Sequence, residues 1–417
     1  MKINVSVPWT ATYYMPLNGV HAIYQPLINL HPSTVNIHAL DFLKVQKQLI
    51  NDKNFLKKFE KKSQFHRSKL YLLLGQNSPK YLEYYTNASA LQNELISGDL
   101  EFHHTAAFPS MTKPFILHCE HFLPSFFPFT HQGQQKLKIL NDIKPYYKKL
   151  YEHELCVGIF SHLEETITGF SKFFDSSIID EKLNLTKIGL IRPTSQSISK
   201  STENNGLTFL FINSGNQNSN GFLQRGGDIV LRFWKKYIEQ GNSGVLILRC
   251  TIPSDEQMRL REVDISFFRG EVNKTIFIDN QFITQTEIQN LFDKSDIFLL
   301  PSLSLHSASI MQALSSGTIP VVSDTVGTDL YVKDGYNGIV LKGVKSAIWK
   351  NSDEYKIMYD SAQISSGIAT TQVNQLLERI NSIVKEDKFE PMQKNTLMSF
   401  QSGFDPQQYS DHFWGEV

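Results

Sequence analysis

The sequence predicts an α/β protein with two Rossmann-like, doubly wound parallel-sheet domains that face each other across a cleft. Three observations predict this fold class. Short apolar segments of strand length alternate with longer helical segments through both halves of the chain. The 417 residues are enough for two domains that each bury a core of their own. A polar stretch at 193–206, poor in apolar residues, separates the two halves as a linker would.

The first half contains the elements of one such sheet. Helices are predicted at 20–30 and 142–154, and an Asn18-Gly19 turn precedes the first of them. Ser161 and the Glu164-Glu165 pair predict an N-cap with a capping box at the start of a further helix. The predicted strands of this half are 2–8, 35–40, 70–74, 101–105, 114–118, 157–160 and 187–191.

The strand at 114–118 runs directly into Glu120 and His121. The carboxyl ends of parallel strands line the binding crevice in this fold class, so both side chains are candidates for a site. His118 and Glu120 alternate with Cys119 and His121 along the chain, and the sequence leaves open which pair points inward. A metal site of His118, Glu120 and His121 is disfavoured because no further ligand stands at a suitable spacing.

The second half is organised around residues 296–341. An apolar strand at 297–300 is followed by a polar loop and a helix from about Ala308, which Ser316-Gly317 ends by supplying a left-handed position. A second apolar strand follows at 319–322, so the segment predicts one right-handed crossover of a parallel sheet. The loop that opens onto the helix is where such sheets bind phosphate. Further strands are predicted at 207–212, 244–249 and 275–279, with helices at 229–240 and 286–294.

Composition excludes several classes of function. Lys and Arg balance Asp and Glu at 41 each, so no net charge draws the protein to nucleic acid. The three cysteines lie far apart without metal-ligand spacing, which favours a reducing, cytoplasmic compartment. We expect neither a membrane span nor a signal peptide, because no apolar run is long enough. A dehydrogenase is disfavoured because no Gly-x-Gly-x-x-Gly follows an early strand.

Residues 44–69 carry nine Lys or Arg against two acidic residues, with phenylalanines between them. A basic amphipathic stretch of this kind can lie on an anionic membrane surface. The alternative is an ordinary solvated helix face, and the sequence alone leaves both open.

The segment 296–341 also carries a resemblance to a known family. Pro301-Ser302, Ala313, Gly317, Pro320-Val321-Val322 and the turn 334–338 resemble the donor-binding signature of retaining GT-B glycosyltransferases of the family-4 type. The family has two glutamates in a Glu-x7-Glu motif, whereas Ser304 and Gln312 stand at those positions here. The order and spacing of the family's segment are therefore present without its carboxylates.

The resemblance implies roles for individual residues. Glu120 and His121 would line the cleft near the transferred sugar and are the catalytic candidates together with Arg225, which matches a diphosphate-binding cation. Asn213-Ser214 stand where the family has a second cation, and Asn18-Gly19 match the turn beneath the donor phosphates. The remaining candidates for donor binding are Gln281, Phe282 and Ile283 for the base, Gln312 for the ribose, Ser304 and His306 for the sugar, and the amides of Ser307, Ala308 and Ser309 for the phosphates.

The resemblance also implies a domain plan and an activity. Residues 1–195 would bind the acceptor, 196–392 the donor, and 393–417 would form a helix that crosses back to the first domain. The implied enzyme moves a sugar, with retention and without metal or cofactor, from a nucleotide-sugar such as a UDP-sugar to a glycan or lipid-linked acceptor in cell-envelope or exopolysaccharide synthesis. The missing carboxylates motivate two alternatives: a catalytically impaired binding or scaffold partner, and a sugar-nucleotide epimerase of the same fold.

Overall fold

The protein is described from a computed structural model. The structure describes residues 2–7, 21–39, 42–74, 98–126, 130, 138–193, 206–213, 219–281, 283–347, 350–351, 358–359 and 366–417. Four predicted site residues, Asn18, Gly19, Ser214 and Phe282, lie outside these ranges, as does most of the predicted linker.

The first sheet has six parallel strands in the order β2-β1-β3-β4-β5-β6. Its strands are β1 Ile3–Val7, β2 Val35–Ala39, β3 Leu100–His104, β4 Phe115–His118, β5 Cys156–Ser161 and β6 Leu183–Leu185. The helices of this half are α1 Gln25–Asn29, α2 Phe42–Asn51, α3 Lys53–Leu74, α4 Lys138–Glu152, α5 Glu164–Phe174 and α6 Ser177–Asp180, with 3-10 turns at Ala22–Tyr24 and Leu123–Phe126.

The second sheet also has six parallel strands, in the order β12-β11-β10-β7-β8-β9. They are β7 Leu207–Ile212, β8 Gly244–Arg249, β9 Ile276–Asp279, β10 Ile297–Leu300, β11 Ile319–Ser323 and β12 Ile339–Leu341. Its helices are α7 Ser219–Gln224, α8 Gly227–Glu239, α9 Asp255–Arg259, α10 Ile265–Glu271, α11 Gln285–Lys294, α12 Ser307–Ser315, α13 Val344–Ala347 and α14 Ser366–Lys385, with a 3-10 turn at Thr328–Leu330. Lys350–Asn351 and Met358–Tyr359 pair as a small antiparallel ribbon, β13 and β14.

The second sheet has the strand order of a doubly wound dinucleotide-binding fold, in which the winding reverses between β7 and β10. Ligands of such sheets bind in the crevice at that reversal, beyond the carboxyl ends of the strands. The loops after β7 and β10 therefore border the place where this half is expected to bind a ligand.

The end of the chain packs on the first sheet. Two helices close the chain, α15 Phe389–Gly403 and α16 Pro406–Gly415. Phe413 of α16 packs against Phe102 of β3 and Phe160 of β5 at ring-centroid distances of 5.3 and 4.8 Å. The indole of Trp414 donates a hydrogen bond to the carbonyl oxygen of Leu27, at 3.0 Å. These contacts tie α16 to the first half, while the domain boundaries drawn from the sequence stay predictions.

Several elements predicted from the sequence are confirmed, including β7, β8 and β10. Three predictions are wrong. Residues 70–74 form the last turn of α3, because a five-residue apolar run has no periodicity that separates a strand from a buried helix end. Residues 187–191 have no strand pairing. Ser161 does not cap α5: the N-cap is Leu163, whose N–H donates to the Ser161 hydroxyl at 3.1 Å.

Among the residues that the structure describes, no helix combines the length and apolar character needed to cross a membrane.

Candidate functional site

The site lies where the carboxyl edges of the two sheets meet. Glu120 follows β4 of the first sheet, and α12 begins in the loop that follows β10 of the second. The hydroxyl of Ser307, the first residue of α12, donates a hydrogen bond to Glu120 Oε1. The two edges therefore face each other directly, at the winding reversal of the second sheet.

The amino end of α12 points at the first sheet. His306 is its N-cap and its side chain makes no cap hydrogen bond. The first helical hydrogen bond runs from the Ile310 N–H to the His306 carbonyl, at 3.2 Å, so the preceding N–H groups lack helical acceptors. Ser307 and Ser309 are buried, and Ala308 is half-buried. A helix end with free donors and a positive dipole is a binding place for an anion.

Glu120 supplies such an anion from within the protein. Its carboxylate receives a hydrogen bond from the hydroxyl of Ser307, the first residue of the helix. Burial raises the pKa of the Glu120 carboxyl to about 7, although the hydrogen bond from Ser307 acts in the opposite direction. The Glu120 side chain as a whole keeps 24% of its exposure.

Arg225 is held beside the α12 loop by the backbone around it. Gly226 has φ +77°, and a Cβ there would come within 2.2 Å of the carbonyl oxygen of Pro301, so only glycine fits. The N–H of Leu303 donates to the Gln224 carbonyl at 2.9 Å, and Arg225 Nη1 donates to the Ile212 carbonyl at 3.1 Å. The sequence around Arg225 thus places a guanidinium between the loops after β7 and β10.

Arg225 stays charged at neutral pH, although burial lowers its pKa to about 10. Burial lowers the pKa of His306 well below its usual value, and the Arg225 charge lowers it further. The same two causes bring the pKa of His21 to about 4. Arg225 is therefore the cation that faces two neutral imidazoles, one from each half of the chain.

The carboxyl edge of the first sheet is lined by further imidazoles. Burial lowers the pKa of His118 and His104 to about 3 and that of His121 to about 4. The Tyr24 hydroxyl lies 3.2 Å from His118 Nδ1, and the His118 and His162 rings stack at 5.7 Å. These histidines are uncharged at neutral pH, so Glu120 is surrounded at this edge by buried, uncharged imidazoles.

Sequence reasoning missed His162 and Tyr331. His162 Nε2 lies 3.8 Å from Glu120 Oε1, and its ring faces that of Tyr331 edge-on at 6.4 Å. His162 follows β5, so its place beyond the carboxyl end of a parallel strand was a usable signal. Tyr331 follows a 3-10 turn far along the chain, and no local pattern marks it.

The other predicted donor-binding residues that the structure describes lie on the loops and helices of the second sheet. Gln312 is buried, and its side-chain amide lies 3.3 Å from Gln285 Oε1 on α11. Gln281 is exposed in the loop after β9, and Ile283 is half-buried there. Asn213 is buried directly after β7, and Ser304 is half-buried in the loop before α12. Four of these residues lie in loops that follow strands of this sheet, and Gln312 lies on the second turn of α12.

No group of three or more His, Cys, Asp or Glu side chains in the described ranges is arranged to hold a metal ion. The charged groups of the described site are the Glu120 carboxyl, the Arg225 guanidinium and the helix end. Such a site can bind a phosphate-bearing ligand and stabilise negative charge that develops on it.

Comparison with solved structures identifies the fold. HepE of Anabaena, solved with UDP and glucose, aligns with a TM-score of 0.56 at 12% identity over 100% of this chain and 99% of its own. A glycosyltransferase of Rickettsia africae aligns with a TM-score of 0.55 at 10% identity over 99% of this chain and 97% of its own. At these identities the similarity establishes the fold, so the chain has the two-domain GT-B architecture.

A third structure is matched only in part. The pneumococcal O-GlcNAc transferase GtfA, solved with UDP and GlcNAc, aligns with a TM-score of 0.52 at 10% identity over 79% of this chain. The chain spans 59% of the length of GtfA. No protein-family model matches the sequence, and no curated protein is significantly similar to it.

Proposed function

We propose that this protein is a metal-independent glycosyltransferase that transfers a sugar from a UDP-sugar. The observation that carries the proposal is the meeting of the α12 amino end with Arg225 at the winding reversal of the second sheet. Together they offer a positive dipole and a fixed cation to a diphosphate. HepE and GtfA, which are similar in fold, were each solved with UDP.

Different residues of the site would bind the diphosphate, the ribose and the transferred sugar of the donor. The amides of Ala308 and Ser309 and the guanidinium of Arg225 would neutralise the leaving diphosphate, which is the main electrostatic demand of the step. Gln312 would hydrogen-bond the ribose from beneath, because its amide has both donors and an acceptor. Glu120 and His121 would face the transferred sugar from the first sheet, and retention of configuration is part of the same proposal.

The acceptor is proposed to be a glycan or lipid-linked sugar bound along the first sheet. The neutral imidazoles at that edge suit hydroxyl groups, since each imidazole can donate one hydrogen bond and accept another. A role in cell-envelope or exopolysaccharide synthesis belongs to this proposal. A non-catalytic binding partner is the second candidate, favoured by Ser304 and Gln312, which supply no carboxylate.

The proposal is tested by thermal denaturation and turnover with UDP-, GDP- and ADP-sugars. We expect UDP and UDP-sugars to raise the melting temperature most, since a ligand that binds only the folded state stabilises it by mass action. We also expect release of UDP once a suitable acceptor is added. Binding without UDP release across a panel of acceptors would favour the binding partner, and isomerised donor without acceptor would indicate an epimerase.

We further propose that α2 and α3 contact an anionic membrane from the cytoplasmic side. Lys47, Lys53, Lys57, Lys58 and Lys61 are exposed, and the side chain of Ile50 is 79% exposed beside them. Phe55 of α3 is buried, so α3 is anchored to the domain while Lys53, Lys57, Lys58 and Lys61 of the same helix stay exposed. A cationic face with an exposed apolar side chain fits an anionic lipid surface.

Sedimentation with lipid vesicles tests this contact. The triple variant K57E/K58E/K61E is expected to lose binding to phosphatidylserine vesicles, because each basic residue near the surface contributes about 1 kcal/mol. The control variant K274E/K294E/K345E makes the same change in charge at exposed lysines of the second half. Equal loss in both variants, or equal binding to uncharged vesicles, would contradict a specific role for α2 and α3.

A further inference from the structure

Glu120 connects the two halves of the chain through a single carboxylate. Its backbone belongs to the first half, where the Thr166 hydroxyl donates to the Glu120 carbonyl at 2.7 Å and the Ser161 hydroxyl does so at 3.4 Å. Its carboxylate accepts a hydrogen bond from the Ser307 hydroxyl of the second half. The first half therefore holds the backbone of Glu120 in place, while its carboxylate binds the amino end of α12 in the second half.

The place that this carboxylate takes is the one proposed for the donor phosphates. A carboxylate and a phosphate use the same donors at a helix end, namely the first N–H groups and any hydroxyl beside them. Two anions within a few ångströms of each other repel, and the repulsion is strong where water is largely excluded. Ionised Glu120 and a bound diphosphate are therefore incompatible at the amino end of α12.

His162 gives a second and independent sign that this pocket is built for a polar ligand. Its side chain has no exposure, and neither ring nitrogen has a hydrogen-bond partner among the described residues. Nε2 points toward Glu120 Oε1 but stays 3.8 Å away. A buried imidazole without partners costs free energy unless a ligand or a moved side chain completes its hydrogen bonds.

We infer that Glu120 is an intramolecular competitor of the donor diphosphate, and that it releases Ser307 when the diphosphate binds. The inference rests on the proposed function, since it concerns the same anion site. Neutral Glu120 loses its charge-assisted bond to the Ser307 hydroxyl and no longer repels a phosphate, so competition requires the ionised carboxylate. The competition is therefore weak below the pKa of Glu120 and strong above it.

The groups that face the carboxylate set this pH dependence. They are His162 after β5, Ser307 on α12, Tyr331 after the 3-10 turn and Tyr409 on α16. Burial keeps His162 uncharged, and burial together with the Glu120 charge raises the pKa values of both tyrosines. None of these groups changes charge near pH 7, so Glu120 is the group in this cluster that titrates there.

Calorimetric titration of UDP and of pyrophosphate between pH 6 and 8.5 tests the inference. We expect Glu120→Gln to bind UDP roughly tenfold more tightly than the wild type at pH 8.5, the effect of removing a hydrogen bond to a charged group. The ratio of the two dissociation constants should approach unity at pH 6. Because UDP itself gains charge over this range, the ratio, and not either affinity alone, reports Glu120.

The control is Glu164→Gln, the same change at an exposed residue of the first turn of α5. It should match the wild type at every pH. If Glu120→Gln does not fold, Glu120→Ala replaces it, because that variant also lacks the carboxylate and should also bind UDP more tightly than the wild type. Measurable UDP binding with equal affinity in all variants at every pH would overturn the competition alone. Failure of every variant to bind UDP or pyrophosphate would overturn the proposed function as well.

Discussion

Replacing Arg225 with alanine is expected to weaken UDP binding by about one hundredfold, the effect of losing a charge-assisted pair to phosphate. Uridine binding should stay unchanged, because the guanidinium lies between the loops after β7 and β10, away from the loop after β9 that is proposed to hold the base. The difference between the two ligands isolates the contribution of the diphosphate. Calorimetry with UDP and uridine measures both affinities on the same preparation.

Two substitutions make the Arg225 result specific. Arg225→Lys keeps the charge but loses the paired geometry of the guanidinium, so we expect an intermediate affinity for UDP. Arg259→Ala removes an exposed arginine from the same half of the chain and should leave UDP binding unchanged. An equal loss of UDP and uridine affinity in Arg225→Ala would argue against a phosphate role, and would point to a general effect on folding.

Acidification from pH 7 to pH 5 is expected to lower the free energy of unfolding by several kcal/mol. Burial lowers the pKa of His21 and His121 to about 4 and that of His104 and His118 to about 3. These imidazoles stay neutral in the folded chain at pH 5, whereas the unfolded chain binds protons below its ordinary value of about 6.5. The unfolded state therefore binds more protons, and stability falls as pH falls.

The size of the effect follows from these pKa values. Each of the four imidazoles contributes about 2 kcal/mol between pH 7 and pH 5. Glu120 acts in the opposite direction, because its folded pKa of about 7 lies above the unfolded value. Protonation of Glu120 raises the free energy of unfolding by about 2 kcal/mol between pH 7 and pH 5. The net loss of stability, which is the sum of the four histidine contributions less that of Glu120, is a large part of the roughly 5–15 kcal/mol by which domains are stable.

Urea unfolding at the two pH values, followed by circular dichroism, measures this effect. His162→Phe provides the matched comparison, because burial also lowers the pKa of His162 and its ring nitrogens have no partners among the described residues to lose. The variant should reduce the difference between pH 7 and pH 5, because it removes one imidazole that binds a proton in the unfolded chain but not in the folded one. A free energy of unfolding that is the same at both pH values would contradict the neutral state of the histidine cluster.

Much of the fold was predictable because the signals are local. The strands β7, β8 and β10 are apolar runs of strand length with polar residues at both ends, and Gly317, with φ +64°, ends α12 as its type predicts. Arg225 was singled out because Arg225-Gly226-Gly227 resembles the family's diphosphate-binding position, and the requirement for glycine at position 226 comes from the backbone of Pro301. The strand predicted at 70–74 was wrong because an apolar run that short fits a helix equally well.

The sequence by itself determined the α/β class and the helix that begins near Ala308, because each depends on neighbours in the chain, whereas the role of Arg225 was implied by the family resemblance and stays a prediction. Only the tertiary structure decided what faces that helix end. Glu120 and Ser307 are 187 residues apart in sequence, and His162 and Tyr331 join them from two further loops. Side-chain periodicity encodes which face of an element is buried, but it does not encode which distant residue lies opposite. The partner of each site group is fixed by the packing of the two sheets.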